Sequence, residues 1–128
     1  MDRARKRLGA RSGQVRWIVA NVTADPDLGT FDLWHDRAVF HFLVDAADRA
    51  AYVALLSRTV PPGGHGVIAT LALDGTQECS GLAVRRYDGP MLAVELGAPL
   101  ELLRSVPEMH LTPRDQPQSF QYSMFRRV

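Results

Sequence analysis

Residues 31–73 limit the possible folds most tightly, because two apolar runs enclose one amphipathic helical segment. Phe31 to Trp34 is a short apolar run, typical of a buried strand. Residues 67–73 form a second apolar run, partly β-branched, which ends at an Asp-Gly pair. Two nearly continuous apolar strands around one helix predict a right-handed βαβ unit with parallel strands buried on both faces. The chain is therefore predicted to be an α/β protein.

The helix between these strands has recognisable ends. Asp45 is placed to cap its first turn, and Asp48 follows three residues later, as in a capping box. One helical face repeats at i, i+3, i+4 and i+7 and carries Tyr52, Leu55, Leu56 and Thr59. The Pro-Pro-Gly-Gly run at 61–64 ends the helix and supplies the turn into the second strand.

The residues that follow the first apolar run are candidates for a ligand site. In parallel sheets ligands bind beyond the carboxyl ends of the strands, where His35, Asp36 and Arg37 are expected. Asp36 can accept a hydrogen bond from a cofactor amino group or a substrate nucleophile, and Arg37 can pair with a carboxylate or with Asp36. A local salt-linked turn is the structural alternative. His41 is either a structural histidine, which its apolar neighbours favour, or a general base.

Seven pieces of sequence, three of them within residues 31–73, occur in a recognisable order along nearly the whole chain. They are WIVANVTAD (17–25), FDLWHDRAVFHFL (31–43), DRAAY (48–52), PPGGHGVIAT (61–70), CSGL (79–82), RYD (86–88) and H-x-TP with QSFQY (110–122). Together they resemble the second half of a class I S-adenosylmethionine-dependent methyltransferase of the small-molecule type.

The resemblance implies a three-layer αβα arrangement around a partial Rossmann-like sheet, in a single domain over residues 1–128. The sheet would contain strands three to seven of the order 3-2-1-4-5-7-6. WIVANV (17–22) would be the third strand, FDLWHD (31–36) the fourth, VIATLAL (67–73) the fifth and QSFQYSMFRRV (118–128) the antiparallel seventh.

The resemblance also implies S-adenosylmethionine as cofactor and a small molecule as methyl acceptor. The implied cofactor contacts are Asn21, Val22, His35 and Asp36, and the implied catalytic candidates are Asp36, Arg37 and His41. Asn21 and Val22 would border the adenine. The family usually places an aspartate where this chain has Asn21, which can still accept a hydrogen bond through its carbonyl but carries no charge.

The similarity begins inside the helix before the family's third strand. The family's glycine-rich loop and the acidic residue of its second strand therefore have no counterpart here, and we expect a truncated chain or one whose other half is a separate polypeptide. We also expect the fourth strand to have an open edge, which invites pairing and predicts a homo-oligomer such as a dimer, with weak cofactor binding. The alternative function is a non-enzymatic interaction module that self-associates through this edge.

Composition argues against several other classes. The sequence has no apolar run of about 18 residues, so no membrane span is predicted. The single cysteine, Cys79, fits a reducing cytoplasm, and a thiol hydrolase using Cys79 with His110 is a third hypothesis. The histidines and the cysteine lack metal-ligand spacing, so no metal site is predicted. Residues 1–16 are strongly basic, but no aromatic residue interleaves the charges, which favours a solvated helix over a nucleic-acid patch.

Overall fold

The computed structural model describes residues 1–79 and 81–128. The chain begins with helix α1 (Asp2–Leu8) and a 3₁₀ turn (Gly9–Gln14), and residues 15–32 contain neither helix nor strand. Strand β1 (Leu33–Arg37), a second 3₁₀ turn (Phe40–Phe42), helix α2 (Ala46–Thr59) and strand β2 (His65–Leu71) follow. The remaining elements are the short strands β3 (Glu78–Cys79) and β4 (Leu82–Ala83), helix α3 (Gly89–Leu96), and the long strands β5 (Leu100–Leu111) and β6 (Pro117–Arg127).

Four strands form one mixed sheet in the order β1-β2-β6-β5. β1 and β2 run parallel, and β6 runs antiparallel to both β2 and β5. In the numbering implied by the resemblance, this is the order 4-5-7-6. The predicted α/β class, the pair of parallel strands around one helix, and the antiparallel last strand are confirmed.

The main core lies between one face of the sheet and the helices α2 and α3. Its buried side chains include Tyr52 and Leu56 from α2, Leu92 and Leu96 from α3, and Ile68 and Phe125 from the sheet. Every member of the predicted apolar face of α2 is buried. Because side chains alternate along a strand, a smaller cluster of Ala69, Leu71 and Phe120 lies on the opposite face.

Capping side chains and glycines with positive φ mark most of the predicted helix ends and turns. The carboxylate of Asp88 caps α3 by accepting a hydrogen bond from the Met91 N–H at 2.8 Å, and Gly97 ends this helix with a φ of +82°. Gly63, with a φ of +91°, makes the predicted turn before β2. Asp45 precedes α2 as predicted, but its side chain makes no capping hydrogen bond.

The prediction of a strand at residues 17–22 is wrong. This segment is irregular, and Val19 within it is 87% exposed. A strand needs a neighbour for its backbone N–H and C=O groups, and in the implied order two further strands would separate it from β1. The part of the chain that the structure describes supplies no such strands, and the segment packs against the core only through Val22.

The first strand begins and ends later than predicted. His35, Asp36 and Arg37 are its last three residues rather than the residues beyond it. The parallel pairing with β2 continues as far as Arg37, which lies opposite Ala69. Successive side chains therefore point to alternate faces, with Asp36 on the core face and its two neighbours on the other.

Helix α3 packs so closely on β5 that Gly89 has no room for a side chain. A Cβ atom at this position would lie 2.6 Å from the Cβ of Ser105. We predict that Gly89→Ala lowers the free energy of unfolding by about 1–3 kcal/mol, as over-packing of a core does. Urea unfolding measures the change. Gly13→Ala is the matched control, since no atom lies within 4 Å of a Cβ at Gly13. Equal effects of the two substitutions would contradict the close packing.

Candidate functional site

A depression of about 390 Å³ opens beside the carboxyl end of β1. Its lining consists of Val22, Trp34, His35, Asp36, Arg37, Val39 and Tyr52. Four of the residues predicted to form the site, Val22 and the three at the end of β1, therefore border one space. Asn21 and His41, the other two predicted residues, are not part of its lining.

Asp36 is buried, and both oxygens of its carboxylate accept hydrogen bonds from the protein. Its Oδ1 accepts a hydrogen bond from the Val39 N–H at 3.0 Å, and its Oδ2 accepts one from the Phe40 N–H at 3.1 Å. The hydroxyl of Tyr52 donates a third bond to Oδ2 at 2.5 Å. Burial raises the pKa of Asp36, and the bonds from Tyr52 and the two backbone groups oppose that rise. Asp36 thus joins β1 to α2 and to the 3₁₀ turn after β1.

Tyr52 extends this network to the indole of Trp34. The Trp34 Nε1–H donates to the Tyr52 hydroxyl at 2.8 Å, and the two rings meet edge to face with centroids 5.4 Å apart. Burial, followed by the nearby charge of Asp36, raises the pKa of Tyr52 well above its ordinary value. The hydroxyl therefore stays protonated and donates to Asp36, and the polar wall of the depression is a closed hydrogen-bonded chain.

Arg37 and Asp36 do not pair, because they point to opposite faces of the sheet. The Arg37 Nε–H donates to the Tyr122 hydroxyl at 3.0 Å, and the guanidinium carbon lies 5.1 Å from the centroid of the Phe120 ring. Tyr122 is two strands away from Arg37, across Ala69, whose small side chain leaves room for the arginine. The predicted salt-linked turn is therefore not formed between Asp36 and Arg37.

His41 lies in the protein interior, away from the depression. It is fully buried, and its Nδ1 accepts a hydrogen bond from the Leu71 N–H at 3.0 Å. Burial lowers the pKa of His41 to about 4, so the ring is neutral at pH 7. These contacts favour the structural role over the general base.

Asn21 uses its side chain to close a local turn. Its Oδ1 accepts hydrogen bonds from the Thr23 N–H at 2.9 Å and from the Thr23 hydroxyl at 2.7 Å. This is the turn that an asparagine side chain makes with the backbone two residues later. The carbonyl oxygen that the resemblance assigned to the adenine is occupied by Thr23.

The other candidate groups do not assemble into a reactive centre in the described part of the chain. Cys79 packs at the margin of the smaller cluster, and the His110 ring lies edge to face with Phe120 at 6.0 Å. Within residues 1–79 and 81–128, no three His, Cys, Asp or Glu side chains come together in a way that could hold a metal ion. Over the same residues, no helix is both long enough and apolar enough to span a bilayer.

The sequence matches no family model and no curated protein. It does match solved structures. The N-methyltransferase NodS from Bradyrhizobium japonicum WM9 aligns with a TM-score of 0.68 and 18% identity, over 99% of this chain and 69% of that chain. The 1,6-didemethyltoxoflavin-N1-methyltransferase from Burkholderia thailandensis aligns with a TM-score of 0.69 and 20% identity, over 99% of this chain and 56% of that chain. A third structure comes from work on the conversion of a disulfide bond into a thioacetal group during echinomycin biosynthesis. It aligns with a TM-score of 0.71 and 14% identity, over 97% of this chain and 60% of that chain.

These similarities show the fold of the chain. The matched structures include S-adenosylmethionine-dependent methyltransferases, and the chain has their α/β fold, as the sequence resemblance implied. The chain spans 69%, 56% and 60% of the lengths of the three matched chains above. NodS was also solved in complex with S-adenosylhomocysteine, and the Burkholderia enzyme with that ligand and 1,6-didemethyltoxoflavin.

Removing the Tyr52 hydroxyl is expected to weaken the network around Asp36. Tyr52→Phe leaves the Trp34 Nε1–H without its acceptor and removes one of three donors to Asp36, so the free energy of unfolding should fall by about 1–3 kcal/mol. The pKa of Asp36 should rise further, because the lost bond favours the carboxylate. Urea unfolding and a carboxyl-carbon NMR titration measure the two effects. Tyr122→Phe is the control, and an unchanged Asp36 titration in Tyr52→Phe would contradict this network.

The depressed pKa of His41 makes stability depend on pH. Its ordinary pKa is 6.5 and its folded pKa is about 4, so the unfolded chain takes up the proton first and stability is lost as pH falls from 6.5 to 4. We predict that His41 contributes roughly 3 kcal/mol of this loss at pH 4. His41→Asn keeps an acceptor for the Leu71 N–H and removes the titration. Urea unfolding at pH 7 and pH 4 should show the smaller loss in the variant, and equal losses would argue against the burial effect.

Proposed function

We propose that the chain serves S-adenosylmethionine-dependent methyl transfer to a small molecule, and that the cofactor lies at the depression beside β1. The main support is the depression itself, which opens at the carboxyl end of a parallel strand and gathers four residues that the sequence assigns to a site. The methyltransferase fold, found in structures that hold S-adenosylhomocysteine, supports the same ligand class.

The lining fits the apolar part of this cofactor better than its ribose. When bound, S-adenosylmethionine supplies a methyl group activated on a positively charged sulfur. Trp34, Val22 and Val39 offer apolar surface against which a flat ring can pack. The only carboxylate in the lining is that of Asp36, and all of its hydrogen bonds are directed to the protein. The described lining residues therefore offer no free acid for ribose hydroxyls, and binding by this polypeptide should be weak.

In this proposal Asp36 and Tyr52 are positioning residues. They hold the turn after β1 in place, and this turn carries Val39 into the wall of the depression. Methyl transfer is an in-line displacement that depends on alignment of donor and acceptor more than on strong acid–base help. A wall fixed by buried hydrogen bonds serves such alignment, whereas a free general base is not required.

Calorimetry with S-adenosylhomocysteine tests this proposal. We expect saturable binding with a dissociation constant weaker than about 100 μM, which corresponds to less than about 5.5 kcal/mol of binding free energy. Trp34→Leu should weaken it further, because the flat apolar wall is reduced. Val94→Ala is a control, since Val94 is 84% exposed on α3 and outside the depression. No binding at millimolar ligand would refute the cofactor site, and micromolar binding by the monomer would refute the argument from the occupied carboxylate.

The open edge of β1 favours a second candidate, a non-enzymatic module that pairs with another copy. The His65 N–H donates to the Asp32 carbonyl at 2.9 Å and the Ala38 N–H donates to the Ala69 carbonyl at 3.0 Å. In this parallel ladder the alternate residues Leu33, His35 and Arg37 direct their N–H and C=O groups away from β2. No other described strand adjoins that side.

Exposed apolar side chains flank this edge. Phe31 is 46% exposed, Leu33 59% and Val39 41%. A second copy running antiparallel along β1 would satisfy the outward backbone groups and cover part of this apolar surface. This candidate requires neither cofactor nor methyl acceptor.

A proline on the outer edge distinguishes this candidate. His35→Pro removes an outward N–H while the bonds to β2 remain, because the neighbouring residues make them. If the edge pairs, the wild type should sediment as a dimer at concentrations where the variant is a monomer. His35→Thr is the matched control, since it keeps the N–H and should still dimerise. A wild type that stays monomeric throughout the concentration range would remove this candidate.

A further inference from the structure

The sheet face opposite α2 and α3 carries a separate groove of about 290 Å³. Its lining consists of Val67, Arg104, Val106, Tyr122, Ser123 and Met124. None of these residues lines the depression beside β1. The groove is therefore distinct from the proposed cofactor site.

The floor of this groove is apolar and open to solvent. The alternation along β6 predicts that Phe120, Tyr122 and Met124 share a half-buried face. Phe120 is buried in the smaller cluster, Tyr122 is half-buried at its margin, and Met124 is exposed. Met124 is 41% exposed, and Val106, opposite Tyr122 on β5, is 38% exposed. Contiguous exposed apolar surface is a common feature of ligand and protein binding sites.

The charge at the rim of the groove is positive. Arg104 lies opposite Met124 and is exposed, and the three ion pairs in the described part of the chain use other arginines. Of the acids on the same face, Glu101 is paired with Arg126, and Glu108 lies further along β5, opposite Phe120. The guanidinium of Arg104 is therefore available to a ligand.

Tyr122, which forms one wall of the groove, is hydrogen-bonded through its hydroxyl to Arg37 of β1. Arg37 donates to the Tyr122 hydroxyl at 3.0 Å and rests over the Phe120 ring. This contact fixes the tyrosine ring and adds a second positive charge to the same face. A fixed aromatic wall lowers the entropic cost of binding a ligand beside it.

We propose that this groove binds a small amphipathic oxyanion. Its apolar body would lie on Val67, Val106, Met124 and the ring of Tyr122, and its carboxylate or similar head group would pair with Arg104. A guanidinium matches the planar geometry of a carboxylate. The groove is close in size to the smaller ligand sites of proteins.

Charge argues against a second copy of the chain as the occupant. Face-to-face packing of two identical sheets would bring the arginines of one copy towards those of the other. Like charges in contact destabilise such packing. An anionic ligand instead complements Arg104 and Arg37, whereas Arg126 on the same face is already paired with Glu101.

Methionine methyl groups provide a direct test by carbon-13 NMR. Octanoate and 1-octanol share the same apolar body and differ in charge. Octanoate should shift the methyl signal of Met124 saturably, and 1-octanol should bind at least about fivefold more weakly, because it lacks the charge-assisted contact. Met1, Met91 and Met109 lie outside the groove and serve as internal references.

Two matched arginine variants separate the head-group contact from general charge. Arg104→Gln should weaken octanoate binding about tenfold and leave 1-octanol unchanged. Arg114→Gln, in the exposed turn between β5 and β6, should leave both unchanged. The proposal is overturned if Met124 does not respond, if the alcohol binds as well as the acid, or if both arginine variants behave alike. A Met124 signal that shifts on dilution together with dimer dissociation would assign the groove to a second copy and also overturn it.

Discussion

The buried carboxylate of Asp36 is the contact on which the carboxyl end of the sheet depends. Three donors reach it, the Tyr52 hydroxyl of α2 and two backbone N–H groups of the turn after β1. Burying a carboxylate lowers stability unless its oxygens accept hydrogen bonds. The backbone after β1 must therefore turn so that the N–H groups of Val39 and Phe40 point at Asp36. This turn places Phe40 against Tyr52 in the core, with ring centroids 4.7 Å apart, and His41 beside Leu71 at the carboxyl end of β2.

The sequence predicted those parts of the fold that local patterns specify. The buried face of α2, the glycine turn before β2 and the strands around this helix follow from periodicity and turn residues. The segment 17–22 was predicted wrongly, because its apolar character resembles a strand whereas a strand also needs a partner. Met124 shows that sequence patterns are limited in the same way. Alternation indicates that it shares a face with Tyr122, but only the tertiary structure decides whether other elements cover that face.

Four of the six candidate site residues border one depression, but the contacts that they make were not predicted. The sequence left a pairing of Asp36 with Arg37 open as one alternative. The two side chains are separated because adjacent residues of a strand point to opposite faces of the sheet. The network of Asp36, Tyr52 and Trp34 has no local sequence signal, since it joins residues that only the packing of α2 on β1 brings together. Its signal was indirect: an acid soon after an apolar run, and a tyrosine on a buried helical face.

The open edge of the sheet and the depression beside it have the same structural origin. β1 ends the sheet on one side, so its outer backbone groups and the depression beside it are open together. The carboxylate nearest the depression is committed to holding the turn and is not free to bind a ligand. The proposed cofactor contact and the proposed strand pairing therefore both depend on this one side of the sheet.

Amide hydrogen exchange along β1 tests this account most directly, at a dilution where the protein sediments as a monomer. Trp34, Asp36 and Ala38 should be protected because their N–H groups face β2, whereas Leu33, His35 and Arg37 should exchange fast. The amides of β2, which lies between two strands, should be protected throughout. Uniform protection along β1 would mean that another segment covers its outer edge, and would contradict the account.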